Sequence, residues 1–280
     1  MKTSIALLLT LLTMGLSKAQ PYTEVYLFDY SLEGAELTIS NPKNVSNNPG
    51  KYDNQPSFSA DQSLLYFNSA IDKNPDIMSY DIESGLYKRL THTPGGEYSP
   101  RETPDGKFIS AIVLEDNGQQ LFWKYPLAGG RPEVAVPDRV IGYYAWWDNI
   151  TLVSFVLGDP ASLQITNTVP MKHTTVTERI GRSIHNIPNT GLVSFTQAGE
   201  VKSLNPKSQE VLTITTTLEG AQDMAWLADG SILMGKDTQL HRWTSADGWK
   251  VIADLGTEFD LGLITRIATA KDKIAIVINE

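Results

Sequence analysis

Ser99-Pro100-Arg101-Glu102-Thr103-Pro104-Asp105-Gly106-Lys107-Phe108-Ile109 reads as a strand, a tight turn and a second strand, and a stretch 44 residues earlier reads the same way. The earlier stretch is Gln55-Pro56-Ser57-Phe58-Ser59-Ala60-Asp61, leading into Leu64-Leu65-Tyr66-Phe67. Asp-Gly supplies the positive-φ backbone that a short hairpin needs, and the dense apolar run Phe108-Ile109-Ser110-Ala111-Ile112-Val113 suits a strand covered on both faces. Pro56 and Pro100 are expected where the first strand begins, at a sheet edge, so that the missing N–H leaves no ladder bond unmade.

Working outward, a polar turn followed by an apolar run recurs at Asp61, Asp105, Asn149, Asn189, Asp229 and Lys271, spaced by 40–44 residues. A period of that size marks a repeat architecture. Each copy continues into a third strand, as in Asp76-Ile77-Met78-Ser79-Tyr80, Leu121-Phe122-Trp123-Lys124-Tyr125 and Leu240-His241-Arg242-Trp243. A turn such as Glu83-Ser84-Gly85 or Asp247-Gly248 then leads to a short fourth strand. Four antiparallel strands per period make the blade of a β-propeller.

The last copy, at residues 264–278, holds only the first two strands. The N-terminal segment holds only the last two, Val25-Tyr26-Leu27-Phe28-Asp29-Tyr30 and Glu36-Leu37-Thr38-Ile39-Ser40. The expectation is an all-β, six-bladed β-propeller over residues 20–280, a single domain whose last blade is closed by N- and C-terminal strands.

The 280 residues carry 23 Lys plus Arg against 32 Asp plus Glu, a formal charge of −9 that disfavours a nucleic-acid partner. Lys2, an apolar stretch at residues 5–12 and Ser17-Lys18-Ala19 read as a secretory signal peptide over residues 1–19. The apolar stretch is too short to span a bilayer. Cysteine is absent, so no disulfide framework and no acylatable cysteine are expected. A periplasmic or secreted protein follows.

The two quoted repeats resemble the Pro-x-aromatic-Ser-Pro-Asp-Gly-Lys pattern of the TolB-like, WD40-like (PD40) propellers, an exported bacterial family. The resemblance implies a periplasmic scaffold that grips an envelope protein or its peptide at the channel mouth. An oligosaccharide is the other ligand class expected of such a mouth, on the strength of its aromatic residues. Related propellers form the cap of prolyl oligopeptidases and the body of oligogalacturonate lyases. With the ring running to Glu280, no hydrolase domain is expected after it, which leaves a metal-dependent lyase or hydrolase acting on a sugar acid as the enzymatic alternative.

No nucleophile elbow, phosphate loop, dinucleotide fingerprint, EF-hand loop or zinc-protease helix occurs. Innermost strands line a propeller's channel, and aligning the copies on their turns nominates Asn54, Gln55, Tyr98, Tyr143, Tyr144, His185, Asp223 and Arg266 as ligand-binding rim residues. The tyrosines and Arg266 suit a peptide carboxylate or a sugar acid. The alternative is that these groups satisfy one another and channel water. The four histidines, His92, His173, His185 and His241, are not expected to converge on a metal, His173 being placed in an irregular end of the third repeat. No cofactor is expected, and a calcium ion at Asp223 is the one candidate ion. Tyr143, Tyr144, Trp146 and Trp147 form the densest aromatic cluster, a stacking platform unless they pack between blades.

Overall fold

A computed structural model describes residues 21–34 and 36–279. The signal-peptide reading of residues 1–19 falls outside the described residues. Among the described residues no helix is long and apolar enough to cross a membrane.

Five sheets are continuous in sequence. Blade 1 consists of β3 (Asp53–Phe58), β4 (Leu64–Ser69), β5 (Asp76–Asp81) and β6 (Tyr87–Arg89). Blade 2 consists of β7 (Gly96–Glu102), β8 (Phe108–Leu114), β9 (Gln120–Pro126) and β10 (Glu133–Val136). Blade 3 takes β11 (Ile141–Trp146), β12 (Thr151–Val156), β13 (Ser162–Thr168) and β14 (Met171–Glu178), and blade 4 takes β15 (Ile180–Ile187), β16 (Leu192–Gln197), β17 (Glu200–Leu204) and β18 (Val211–Thr216). Blade 5 is β19 (Met224–Trp226), β20 (Ile232–Lys236), β21 (Gln239–Thr244) and β22 (Gly248–Asp254).

The sixth sheet joins the chain ends. Its order is β2 (Glu36–Asn44), β1 (Thr23–Glu33), β24 (Lys273–Asn279) and β23 (Leu263–Thr269). Strand β1 runs antiparallel to β24 from Thr23↔Asn279 to Asp29↔Lys273, with Tyr26 opposite Ile276. Val25, Phe28, Ile274, Ile276 and Val277 are fully buried along this seam, and Lys273 pairs with Asp29 at its end. The six-bladed propeller is therefore closed as the repeat arithmetic requires.

Polar turns explain the repeat. Asp61 Oδ1 accepts from Ser59 Oγ (2.6 Å) and from Ser63 N and Oγ, and Asp105 Oδ1 accepts from Thr103 Oγ1 (2.7 Å) and Lys107 N. Asp229 does the same for Ser231. In blade 3 the task falls to Asp148, which accepts from Ile150 N and Thr151 N, one residue before the Asn149 of the repeat. These side chains satisfy turn amides that the ladder cannot reach.

The core is not one body but wedges between neighbouring sheets, and among the described residues there are six such clusters, each drawing on two adjacent blades. Tyr144, Trp146 and Leu152 of blade 3, for example, meet Ile112 and Phe122 of blade 2. A short helix, α1 (Leu255–Phe259), capped by Asp254 through Gly256 N and Thr257 N, lays Phe259 edge-on against Phe28 at 5.5 Å.

Two expectations need correction. Pro56 and Pro100 lie inside β3 and β7, not at their starts, within irregularities between Asn54 and Ser57 and between Tyr98 and Arg101. A bulge is the other place where a strand tolerates a missing N–H. His173 is not in an irregular end but in the regular strand β14, opposite Thr166.

Candidate functional site in the channel

The innermost strands β3, β7, β11, β15, β19 and β23 surround the channel. Irregularities interrupt five of them, between Asn54 and Ser57, Tyr98 and Arg101, Ile141 and Tyr143, Ile180 and Ile184, and Ile264 and Arg266. A bulge rotates the local side chains away from the strict in-and-out alternation. Gln55 and Ser99 stand at equivalent bulges with left-handed backbone, φ 55° and 52°. Ser99 N donates to Gln55 Oε1 at 2.7 Å, so one bulge is tied to the next.

Two cavities result. One, of about 550 Å³, opens where the inner strands end and takes residues from all six blades. The other, of about 540 Å³, opens where they begin, against Tyr52, Asn54 and residues 219–223. Arg182, Asp223, Arg266 and Ile267 border both, and so form the waist of the channel.

Gln55, Tyr143, Tyr144, His185, Asp223 and Arg266 all line the first cavity. Asn54 faces the second; its Oδ1 accepts from Gln55 N and its Nδ2 donates to Thr23 Oγ1. Tyr98 borders neither cavity, and its ring lies 6.5 Å from that of Tyr52. Tyr144 is buried, with its hydroxyl 2.8 Å from Ser99 O and 2.9 Å from Ser110 Oγ, which places it in the wall as a blade-to-blade tie.

At the waist, Arg266 Nη1 stands 3.5 Å from Asp223 Oδ1 and its guanidinium lies over the Tyr143 ring at 5.3 Å. Asp223 Oδ2 accepts from Ile267 N at 3.1 Å. Burial works against the Arg266 charge, but Asp223 and Tyr143 more than offset it and raise its pKa. The His185 Nε2 lies 3.0 Å from Ser183 Oγ. Burial, reinforced by the positive charges of Arg101 and Arg266, pulls His185 down to about 4, so the ring is neutral at pH 7.

Turn alignment misses two arginines of this cavity, Arg101 and Arg182. Arg182 Nη2 donates to Thr265 O at 3.1 Å. Arg101 lies over the Tyr144 ring at 5.9 Å. Burial lowers the pKa of both. Arg101 sits within the quoted repeat, at the place Ser57 holds one blade earlier: each pairs across to the second strand, Ser57 with Tyr66 and Arg101 with Ser110.

The histidines stay apart. His92 lies beside Asp72 and Asp76, but Arg89 already spans both carboxylates. His173 meets Asp138 at 3.1 Å, and His241 lies 3.3 Å from Gln239 O. The aromatic cluster is largely spent on packing: Trp146 is buried and donates to Ser110 Oγ, while Trp147 donates to Gly191 O and is covered by Lys207.

No protein-family model matches the sequence, and no curated protein matches it. Solved structures do match in fold. A TolB-designated protein from Agrobacterium tumefaciens superposes with a TM-score of 0.70 at 12% identity, over 93% of this chain and 99% of that one. TolB from Acinetobacter baumannii gives 0.60 at 13%, over 91% of this chain and 63% of its own. An oligogalacturonate lyase in complex with manganese gives 0.55 at 14%, over 91% and 78%. At these identities the likeness is one of fold alone: this chain is a six-bladed β-propeller, the architecture it shares with these structures.

Proposed function

We propose that the protein is an exported, non-catalytic propeller scaffold that seats a segment of an envelope protein at the mouth where its inner strands end. The observation that carries this reading is the 550 Å³ cavity, to which every blade contributes, so that a rigid wheel presents one composite pocket. Its likeness to the TolB structures supports the reading at the level of architecture. A channel cation, whether calcium at Asp223 or a transition metal, is opposed by Arg101, Arg182 and Arg266, which border the same space. An oligosaccharide finds little open ring surface there, because Tyr144, Trp146 and Trp226 are all less than a tenth exposed and the half-buried Tyr143 ring is already faced by Arg266.

A photo-crosslinking residue tests the reading. Asn186 is exposed and lines the cavity, whereas Leu212 is exposed on the outer strand β18. A crosslinker at Asn186, in cells producing the full chain, is expected to yield a discrete adduct with an envelope protein that the same group at Leu212 does not. Equal adducts from both positions, or none from Asn186, would overturn the proposal.

A further inference from the structure

The chain is acidic overall, yet its hub is not. Arg101, Arg182 and Arg266 border one cavity. Against them stand Asp223, already paired with Arg266, and Glu102, which accepts from Tyr66 OH at 3.1 Å. Among the described residues Arg182 donates only to a neutral carbonyl, and its Nε is buried with no partner there. Among the described residues Arg101 pairs with no carboxylate; its neighbour is the face of Tyr144. Two half-buried cations thus have no counter-ion of their own, an arrangement that costs the ligand-free protein some stability.

Guanidinium forks left open in this way match a planar anion that can accept two hydrogen bonds. The neutrality of His185 beside them fits a positive local field, confined to the hub of a chain that is acidic overall. We propose that the hub is a carboxylate site, in which an acidic side chain or the C-terminal carboxylate of the bound segment enters between Arg101, Arg182 and Arg266. This rests on the reading of the cavity as a peptide site. The tight packing of the aromatic rings is what favours a polypeptide carboxylate over that of a sugar acid.

The test is calorimetric titration of the mature protein at low salt with pentaglutamate, pentaglutamine, trigalacturonate and inorganic phosphate. Pentaglutamate is expected to bind at least about tenfold more tightly than pentaglutamine, an advantage that shrinks as salt is added. Arg101→Gln and Arg182→Gln should each weaken it by about tenfold, and Arg101→Lys should restore part of the loss. Circular dichroism of each variant separates lost binding from lost fold. Binding should also move the His185 ring titration, followed by NMR, upward from about 4: burial is the main cause of the depression, and the ligand's negative charge offsets the part contributed by Arg101 and Arg266.

Equal affinity for the glutamate and glutamine peptides, or indifference of pentaglutamate to both arginines, would overturn the carboxylate site while leaving the cavity as a peptide mouth. Preference for phosphate would overturn the carboxylate class. Preference for trigalacturonate over both peptides would overturn the peptide reading itself.

Discussion

The seam of blade 6, where β1 meets β24, and the waist of the channel, which β23 reaches as the next strand inward from β24, spend their residues in opposite ways. At the seam, Val25, Phe28, Ile274, Ile276 and Val277 are fully buried against one another in unbroken antiparallel register. At the waist, one strand further in, Arg266 of β23 shares its surroundings with two further guanidiniums and one carboxylate. The seam gains stability from every side chain; the hub gives some up. Natural proteins commonly carry such local sacrifices where they bind.

Breaking the seam should therefore cost most. Phe28→Ala removes a buried ring that packs on Phe259 and faces blade 5 residues, and about 4 kcal/mol of unfolding free energy should be lost in urea denaturation. A loss below about 1 kcal/mol would mean that the chain ends contribute little to the ring. Next comes the one balanced pair of the hub. Asp223→Asn keeps an acceptor for Ile267 N but strips Arg266 of its counter-charge, and should cost about 2–3 kcal/mol.

His185 sharpens the contrast through pH. Its folded pKa of about 4 lies below the ordinary 6.5, so between those values the unfolded chain binds the proton and the folded one does not. Stability should consequently fall as pH drops from 6.5 toward 4, by on the order of 2 kcal/mol from this residue. His185→Asn should remove that share of the slope. Turn carboxylates such as Asp61 and Asp105, held low chiefly by the Ser59 and Thr103 hydroxyls, lose their contribution only as pH falls below the ordinary 3.8, in a separate window. The smallest effect has the opposite sign: Arg101→Gln should raise the unfolding free energy of the ligand-free protein by up to about 1 kcal/mol, since it deletes a half-buried charge that faces a ring and no carboxylate.

The seam was legible in the sequence and the hub only partly so, for a physical reason. Asp61, Asp105 and Asp229 cap turns through donors two residues away, so the signal that marks each blade is local. Counting blades then fixes which strands must zip at the ends. Which side chain points into the channel depends instead on bulges, and Arg182 lies within an interruption that runs from Ile180 to Ile184. A turn-based alignment assumes unbroken alternation and passes over it. The same alignment nominates Asn54, which lies at the opposite mouth from the other rim residues, and Tyr98, which borders neither cavity. Arg101 was recoverable, since it stands one blade from Ser57 in the very repeat that identifies the fold.

A crystal structure of the protein grown with pentaglutamate examines the hub most directly. The expected result is a glutamate carboxylate within hydrogen-bonding distance of Arg101 and Arg182, with the remaining chain leading out through the mouth lined by Asn186 and Trp226. A peptide bound on an outer blade face, with Arg101 still lying on Tyr144 and no carboxylate at the waist, would contradict it.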